Sequence, residues 1–276
     1  MEWFESTAGV RVPKIIYGTA WKKSATEGWV AAALKQGFRG IDTACQPKHY
    51  EEPGVGPALQ GVPRHELYLQ TKYTPVSGQD PNRIPYDPKA SIAEQVAQSC
   101  EVSLRNLRTD YIDSLVLHSL LPTAKQTQEA WRAMEGLVES GKVRQLGISN
   151  CYQLHQLESV YEVVRIKPAV LQNRFYADTR YDTSIRAWCR SQKIIYQSFW
   201  TLTANPKILT GGIVTALAQK HHRTPPQILF RYLTQVDVAP LTGTTSELHM
   251  QEDLAIFDFQ LEATEIAALT DLLTPA

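Results

Sequence analysis

Short apolar runs alternate along this chain with longer stretches in which apolar residues return every three or four positions, the two periods of strand and helix. Residues 15–20, 41–44, 67–71, 115–117, 143–150, 169–175, 193–200 and 238–244 read as strands, short and bounded by glycine or polar positions. Helical periodicity fills the intervals at 24–36, 55–60, 91–107, 127–140, 153–161, 183–191, 213–222 with 226–234, and 246–254. A last helix is predicted at 263–273. Ser24 with Glu27 three residues on reads as a capping box, and Gly37 and Gly141 read as helix stops. Residues 1–13 predict two small strands about a turn at 8–11.

Strand and helix thus alternate eight times, at spacings that suit right-handed βαβ units and a parallel sheet. Eight units in about 250 residues is the arithmetic of a (β/α)8 TIM barrel, an α/β fold expected as a single domain over 1–276. A doubly wound sheet is the competing architecture. It calls for a glycine-rich turn after the first strand, where this chain reads Gly18-Thr-Ala-Trp-Lys22. The proline-rich segment 74–88 predicts a long loop overhanging the barrel mouth, placed to act as a lid.

Composition mainly excludes. Of 276 residues 43% are hydrophobic and 20% charged, and 28 basic residues cancel 28 acidic ones. The chain is long enough to bury a large core, and it lacks the basic field that would hold nucleic acid or an anionic membrane. Neither is expected as a partner. No apolar run is long enough to span a bilayer, and Met1-Glu-Trp-Phe-Glu-Ser6 lacks the pattern of a secretory leader, so a cytoplasmic protein is expected. Cys45, Cys100, Cys151 and Cys189 lie far apart, with no C-x-x-C and no Cys/His cluster. Reduced thiols packed as small apolar side chains are expected, and no metal site.

Three of the runs end on ionisable side chains: Asp42, Lys72 and His118. Tyr50 follows the first of them through the loop Gln46-Pro-Lys-His49. In a (β/α)8 barrel the carboxyl ends of the strands converge on one mouth. A lysine continuing a buried strand is costly unless paired, and Asp42 is the carboxylate to hold it. A phenol ionises near pH 10, so the reading expects an ammonium beside Tyr50 to stabilise its phenolate. A histidine across the pocket would orient a polar substrate oxygen. The set reads as a proton donor for a carbonyl being reduced, or an acceptor in the reverse direction. Lys72 as the Schiff-base amine of an isomerase or lyase is a competing reading of the same residues.

Several longer pieces carry a resemblance: Gly37-Phe-Arg-Gly-Ile-Asp-Thr-Ala44, Thr71-Lys72, the segment 107–118 ending Leu-Val-Leu-His118, and 131–144. Leu146-Gly-Ile-Ser-Asn150, Lys167-Pro-Ala-Val-Leu-Gln-Asn173, the segment 224–232 and Phe257-Asp-Phe-Gln-Leu261 continue it. Over almost its full length the chain resembles the aldo-keto reductases. The resemblance implies a barrel that binds a nicotinamide cofactor and carries the tetrad Asp42, Tyr50, Lys72 and His118. Hydride would pass to the carbonyl carbon while Tyr50 protonates the oxygen. It further implies Ser149, Asn150 and Gln172 at the nicotinamide carboxamide, each able to donate and accept. Gly18, Thr19, Ala20, Ser198, Phe199, Trp200, Leu202, Gly243, Thr244, Thr245, His249 and Asp253 are implied along the rest of the cofactor. Trp21, His49 and Trp200 are implied around the substrate.

The chain departs from the family at three places. The loop from Asp42 to Tyr50 is longer than usual, so His49 competes with Tyr50 in alignment, yet only Tyr50 supplies a phenol. Near Ser198 the stacking tyrosine of the family is missing, with Phe199 or Trp200 as replacements one step away. After the last strand Pro240-Leu-Thr-Gly-Thr-Thr-Ser-Glu-Leu-His249 has neither the lysine nor the arginine that many NADPH-using members place on the 2′-phosphate. NADPH is expected from the resemblance, with NADH open. The pieces Gln46-Pro-Lys-His-Tyr50 and Gln197-Ser-Phe-Trp-Thr-Leu202 resemble a fungal-type subgroup acting on α-keto amides and α-keto esters. A monomeric reductase of a small carbonyl compound is the expectation. The alternative is a nucleotide-binding regulatory subunit on the same barrel.

Overall fold

The computed structural model describes residues 2–274; the extreme ends of the expected 1–276 domain, residue 1 and residues 275–276, lie outside the described residues. The chain opens with an antiparallel hairpin of β1 (Trp3–Glu5) and β2 (Arg11–Pro13). Its turn is held by the Ser6 hydroxyl, which accepts from the Ala8 and Val10 amides at 3.3 and 3.1 Å, and by Gly9 at φ 72°. Val10 and Val12 of this hairpin are buried with Ile16, Tyr68, Ile195 and Ala239 from the amino ends of four barrel strands. The hairpin therefore plugs the bottom of the barrel. Gly40 permits that closeness, because a Cβ there would stand 2.7 Å from Pro13 Cγ.

Eight strands follow: β3 (Ile16–Gly18), β4 (Gly40–Asp42), β5 (Tyr68–Tyr73), β6 (Ile112–Leu117), β7 (Val143–Ser149), β8 (Val170–Arg174), β9 (Ile195–Phe199) and β10 (Val238–Thr242). They pair in parallel in chain order, and β10 closes on β3. The expected (β/α)8 barrel is the observed one. Helices α1 (Thr26–Gln36), α2 (Val55–Ala58), α3 (Ile92–Leu107), α4 (Ala124–Glu139), α5 (Leu154–Val163) and α6 (Thr183–Ser191) accompany the first six units. α7 (Pro206–Leu209), α8 (Gly212–His221) and α9 (Pro225–Gln235) accompany the seventh, α10 (Glu247–Leu254) the eighth, and α11 (Ala263–Leu272) ends the chain. The main core lies between strands and helices, around fully buried side chains such as Trp131, Tyr17 and Phe38.

Two local expectations differ from the structure. The capping box on Ser24 does not form: a single 3-10 turn, Lys23–Ala25, precedes α1, whose N-cap is Ala25 without a side-chain bond. The preceding residues are tied elsewhere, Trp21 N–H to the His49 carbonyl at 2.7 Å and Lys22 Nζ to the Gly243 carbonyl at 2.9 Å, so the chain enters the helix later than the box requires. The second difference is the segment 74–88, which does not overhang the cleft. Tyr86 donates to the Thr74 carbonyl at 2.7 Å, Gln79 to the Cys45 carbonyl at 3.0 Å, and Gln46 to the Gly78 carbonyl at 2.8 Å. Gln79 and Tyr86 are buried, so the loop is packed down rather than poised over the mouth. Among the described residues, no helix is long and apolar enough to cross a membrane.

Candidate active site

The site begins with register. Parallel pairing sets Asp42 at the end of β4 beside Gln70 of β5, and Gln172 of β8 beside Gln197 of β9. Residues two apart on a strand share a face, so Gln70 and Lys72 both turn toward Asp42. Lys72 Nζ donates to both Asp42 oxygens, at 2.7 and 2.6 Å, and to the Thr43 carbonyl at 2.8 Å. All three ammonium donors are thereby used. Asp42 Oδ1 also accepts from Gln70 Nε2 at 2.7 Å and Gln172 Nε2 at 3.0 Å, and both amides donate to Gln197 Oε1. A closed polar layer crosses the barrel interior under the mouth, with every member buried.

Tyr50 stands above this layer. The loop between β4 and Tyr50 makes a single turn, with the His49 and Tyr50 amides both donating to the Gln46 carbonyl at 3.2 and 3.1 Å. The Tyr50 ring centroid lies 5.2 Å from Lys72 Nζ and 6.0 Å from the His118 ring. The four residues Asp42, Tyr50, Lys72 and His118, from β4, β5 and β6 and the loops after them, thus come together at one point.

Their electrostatics differ from the sequence reading in one respect. Burial raises the Tyr50 phenol well above its ordinary value, and the Asp42 carboxylate raises it further. The expected phenolate is not favoured, because the Lys72 ammonium is already spent on Asp42 and Thr43. Tyr50 is therefore held as the neutral phenol. Burial lowers Lys72, and Asp42 opposes that shift. Burial, then the Lys72 charge, lowers His118 well below its ordinary value, so the imidazole is neutral. His118 Nδ1 lies 2.6 Å from the Thr74 hydroxyl.

A cleft of about 980 Å³ rises from Tyr50 and His118 to the loop after β10. Gly18, Ala20, Trp21, His49, Ser149, Asn150 and Gln172 line its lower part, as does Asp42 at the base. Phe199, Trp200 and Leu202 line one wall, and Gly243, Thr244, His249 and Asp253 the far end. Thr19, Ser198 and Thr245 do not line it. The Thr19 hydroxyl donates to the Asp42 carbonyl at 3.0 Å, and Ser198 accepts from Thr201 at 2.9 Å, both fully buried. Thr245 points to solvent. Strand alternation explains Ser198: Gln197 takes the inward position, Ser198 faces out, and Phe199 returns to the inner face.

Near the barrel centre the amide groups are partly committed. Asn150, at φ 55°, donates to the His118 carbonyl at 2.9 Å and accepts from Tyr152 at 3.1 Å. The Ser149 hydroxyl donates to the Gln172 carbonyl at 2.7 Å. Gln172 uses Nε2 toward Asp42 and Gln197, which leaves Oε1 an open acceptor among the described residues. Trp21 and Trp200 at the rim both hold left-handed backbone, at φ 67° and 57°, which bulky residues adopt only when the surroundings impose it. Trp21 stacks on His49 with centroids 4.0 Å apart.

Two cations of the cleft region escape the sequence reading. Lys22 is buried beside the loop after β10, its ammonium bonded to the Gly243 carbonyl at 2.9 Å, and burial lowers its pKa to about 8. Arg174, at the end of β8, lines the same cleft as Tyr50. Neither belongs to a local motif; the strand-end position of Arg174 was the one available signal. The four cysteines are free and buried, and among the described residues no group of His, Cys, Asp and Glu could hold a metal ion.

Comparison with known proteins agrees with this geometry. The model of the "Aldo/keto reductase family" matches residues 14–203. The chain is 32% identical to glyoxal reductase of Bacillus subtilis, over 96% of this chain and 87% of that protein. It is 26% identical to the NADPH-dependent alpha-keto amide reductase of Saccharomyces cerevisiae, over 98% of this chain and 90% of that one. Among solved structures it resembles an aldo-keto reductase from a Medee basin deep-sea metagenome, with TM-score 0.85, 25% identity, and coverage of 98% of this chain and 94% of that one. A parallel closed barrel, a buried Asp42–Lys72 pair beneath a tyrosine, and a family match across more than half its length place this chain in the aldo-keto reductase family.

Proposed function

We infer that the protein is a carbonyl reductase that converts an aldehyde or activated ketone to an alcohol with NADPH, and accepts NADH. The observation that carries this reading is Tyr50, a phenol kept protonated above a neutralised Asp42–Lys72 pair and beside a neutral His118. A general acid must hold its proton when substrate arrives, and this one does. The glyoxal and alpha-keto amide reductase relatives support a small, electron-poor carbonyl as substrate.

The residues present fit a dinucleotide. Gln172 Oε1 and the Asn150 amide stand near the tetrad, while Gly243 and Thr244, just before α10, stand at the far end beside Lys22. The nicotinamide, when bound, supplies the hydride. Gln172, Asn150 and Ser149 would hold its carboxamide, and the loop after β10 with His249 and Asp253 would hold the adenosine end. His249 replaces the cations usual on a 2′-phosphate, which supports tolerance of NADH. Tyr50 gives its proton to the carbonyl oxygen. The Lys72 ammonium, 5.2 Å from the ring, is the cation nearest the phenol as it loses that proton, while its pairing with Asp42 keeps the resting phenol protonated. With the Thr74 hydroxyl donating to Nδ1, His118 keeps its ring proton on Nε2 and orients the same oxygen. Trp21 and His49 form one apolar wall over the substrate, and Trp200 stands at the opposite rim.

Four buried free thiols support a cytoplasmic enzyme, and the family resemblance supports a monomer acting on a small molecule. The test is loss of absorbance at about 340 nm with NADPH and NADH against aldehydes, α-keto esters and α-keto amides. Tyr50→Phe is expected to cut kcat by about 100-fold to 10,000-fold while cofactor affinity is unchanged. Unaltered turnover in that variant would sink the assignment of the acid. Cofactor binding without turnover in the wild type would leave a regulatory nucleotide-binding subunit.

A further inference from the structure

The wall across the cleft from Tyr50 carries a positive charge with no carboxylate partner among the described residues. Arg174 is in register with Phe199 and lies two residues beyond Gln172, on the same face of β8. Gln172 reaches down to Asp42, and Arg174 lines the cleft above it with Trp200. Its guanidinium lies 4.3 Å from the Trp200 ring centroid and 5.3 Å from that of Tyr176. Such cation–π contact holds the plane of the group without using its N–H donors.

Those donors have no partner among the described residues. Nε is buried and makes no hydrogen bond. No carboxylate among the described residues comes within the 4.0 Å of an ion pair with Arg174. Arg64 meets Asp113 at 2.7 Å and Arg231 meets Glu2 at 3.4 Å; Arg223 shares the buried, unpartnered Nε, but of these arginines Arg174 is the one that lines the cleft. A buried donor without an acceptor costs about 1–3 kcal/mol, so folding alone gives no reason to keep this one. A planar, permanently charged fork matches two oxygens of a carboxylate or phosphate. Trp200 contributes to the same feature, since its left-handed backbone at φ 57° accompanies the stacking on Arg174.

We propose that Arg174, braced by Trp200 and Tyr176, is an oxyanion-binding residue of the cleft. Two sources share that chemistry: a carboxylate on the carbonyl substrate, which makes 2-oxo acids a substrate class, or the diphosphate of the dinucleotide. The assignment of either source rests on the reductase reading, but the anion site itself can be read without turnover.

The experiment compares wild type with Arg174→Gln and Arg174→Lys, all checked for equal melting temperature. Tryptophan fluorescence follows titration of the free protein with pyrophosphate and with oxalate, and then with NADPH. In parallel, KM is measured for 2-oxobutanoate and for its methyl ester. Arg174→Gln is expected to weaken binding of at least one anion by about 10-fold, with partial recovery in Arg174→Lys, which keeps charge and loses the fork. Weaker pyrophosphate and NADPH binding, with the acid-to-ester KM ratio unchanged, identifies the diphosphate. A raised acid-to-ester ratio with weaker oxalate binding identifies a substrate carboxylate. Anion affinities within twofold of wild type in Arg174→Gln overturn the proposal. Should the wild type bind these anions at Arg174 yet show no reduction, the reductase reading fails while the anion site stands.

Discussion

Replacing Asp42 by asparagine tests whether the polar layer beneath Tyr50 is energetically coupled or merely adjacent. The Lys72 and Asp42 side chains are 0% and 3% exposed, and Nζ donates to both carboxylate oxygens at 2.7 and 2.6 Å. Asp42→Asn keeps the volume but removes the charge, and turns one acceptor into a donor facing Lys72, Gln70 and Gln172. Removing one partner of a buried ion pair costs about 3–5 kcal/mol, because the remaining charge has no compensation. With an unfolding entropy of about 2.1 cal/mol/K per residue over this chain, that becomes a drop of about 5–9 °C in Tm. Lys72 has a second route, since burial already lowers it, and Asp42 first and Glu52 after it oppose that shift. Without Asp42 the ammonium would shed its proton, which puts the loss toward the lower end of the range. Thermal unfolding of wild type, Asp42→Asn, Lys72→Met and the double variant measures the coupling. The double variant is expected to be more stable than the sum of the single losses predicts by at least about 1 kcal/mol. An asparagine variant that melts within about 2 °C of wild type, or single losses that add within about 0.5 kcal/mol, would refute the reasoning.

Lys22 is charged only below its lowered pKa of about 8, so affinity for NADPH should fall as pH rises through that value. Lys22→Met should weaken binding by about 10-fold near neutral pH and flatten the profile, measured as Kd by fluorescence. Burial pushes the Asp253 carboxyl up to about 7 from its ordinary 3.8, so the unfolded chain releases that proton first. The stability tied to protonated Asp253 is complete below about pH 4 and lost as pH rises through about 7, and Asp253→Asn should remove that slope in urea unfolding at about pH 5 and about pH 8. Gly56 sits where α2 meets the end of α3: a Cβ there would stand 2.1 Å from the Asn106 carbonyl oxygen and 2.9 Å from the Leu107 carbonyl carbon. Both are backbone atoms that cannot swing away, so Gly56→Ala should cost at least about 3 kcal/mol, read as lost soluble yield or a lower urea midpoint.

The strands and helices were legible because their signals are local. Apolar runs ending at Asp42, Lys72 and His118 gave the strand ends within a few residues, and Gly37, at φ 116°, terminates α1 where the sequence put a stop. The Ser24 box failed because Trp21 and Lys22 are anchored to other loops, at His49 and Gly243. Proline content marked 74–88 as a loop, but could not show that Tyr86 and Gln79 pin it to the body. Among Ser198, Phe199 and Trp200 the sequence left the choice open; in the fold Phe199 and Trp200 line the cleft while Ser198 is buried behind it.

The sequence by itself therefore determined the alternation of elements, the closed-barrel class and the identity of the side chains at the strand ends. Those follow from a period of two or 3.6 residues and from which residue stands last in each run. Tertiary structure alone decided what these groups do to one another. Closure of β10 onto β3 brings Asp42, Tyr50, Lys72, His118 and Gln172 under one cleft, and sets Lys22 beside Gly243 more than two hundred residues away. It also decided the sign of the Tyr50 shift, because desolvation depends on everything packed around the ring. A neighbouring lysine read from the sequence favours the phenolate; the same lysine, with its donors spent on Asp42 and Thr43 in a buried layer, leaves the phenol protonated.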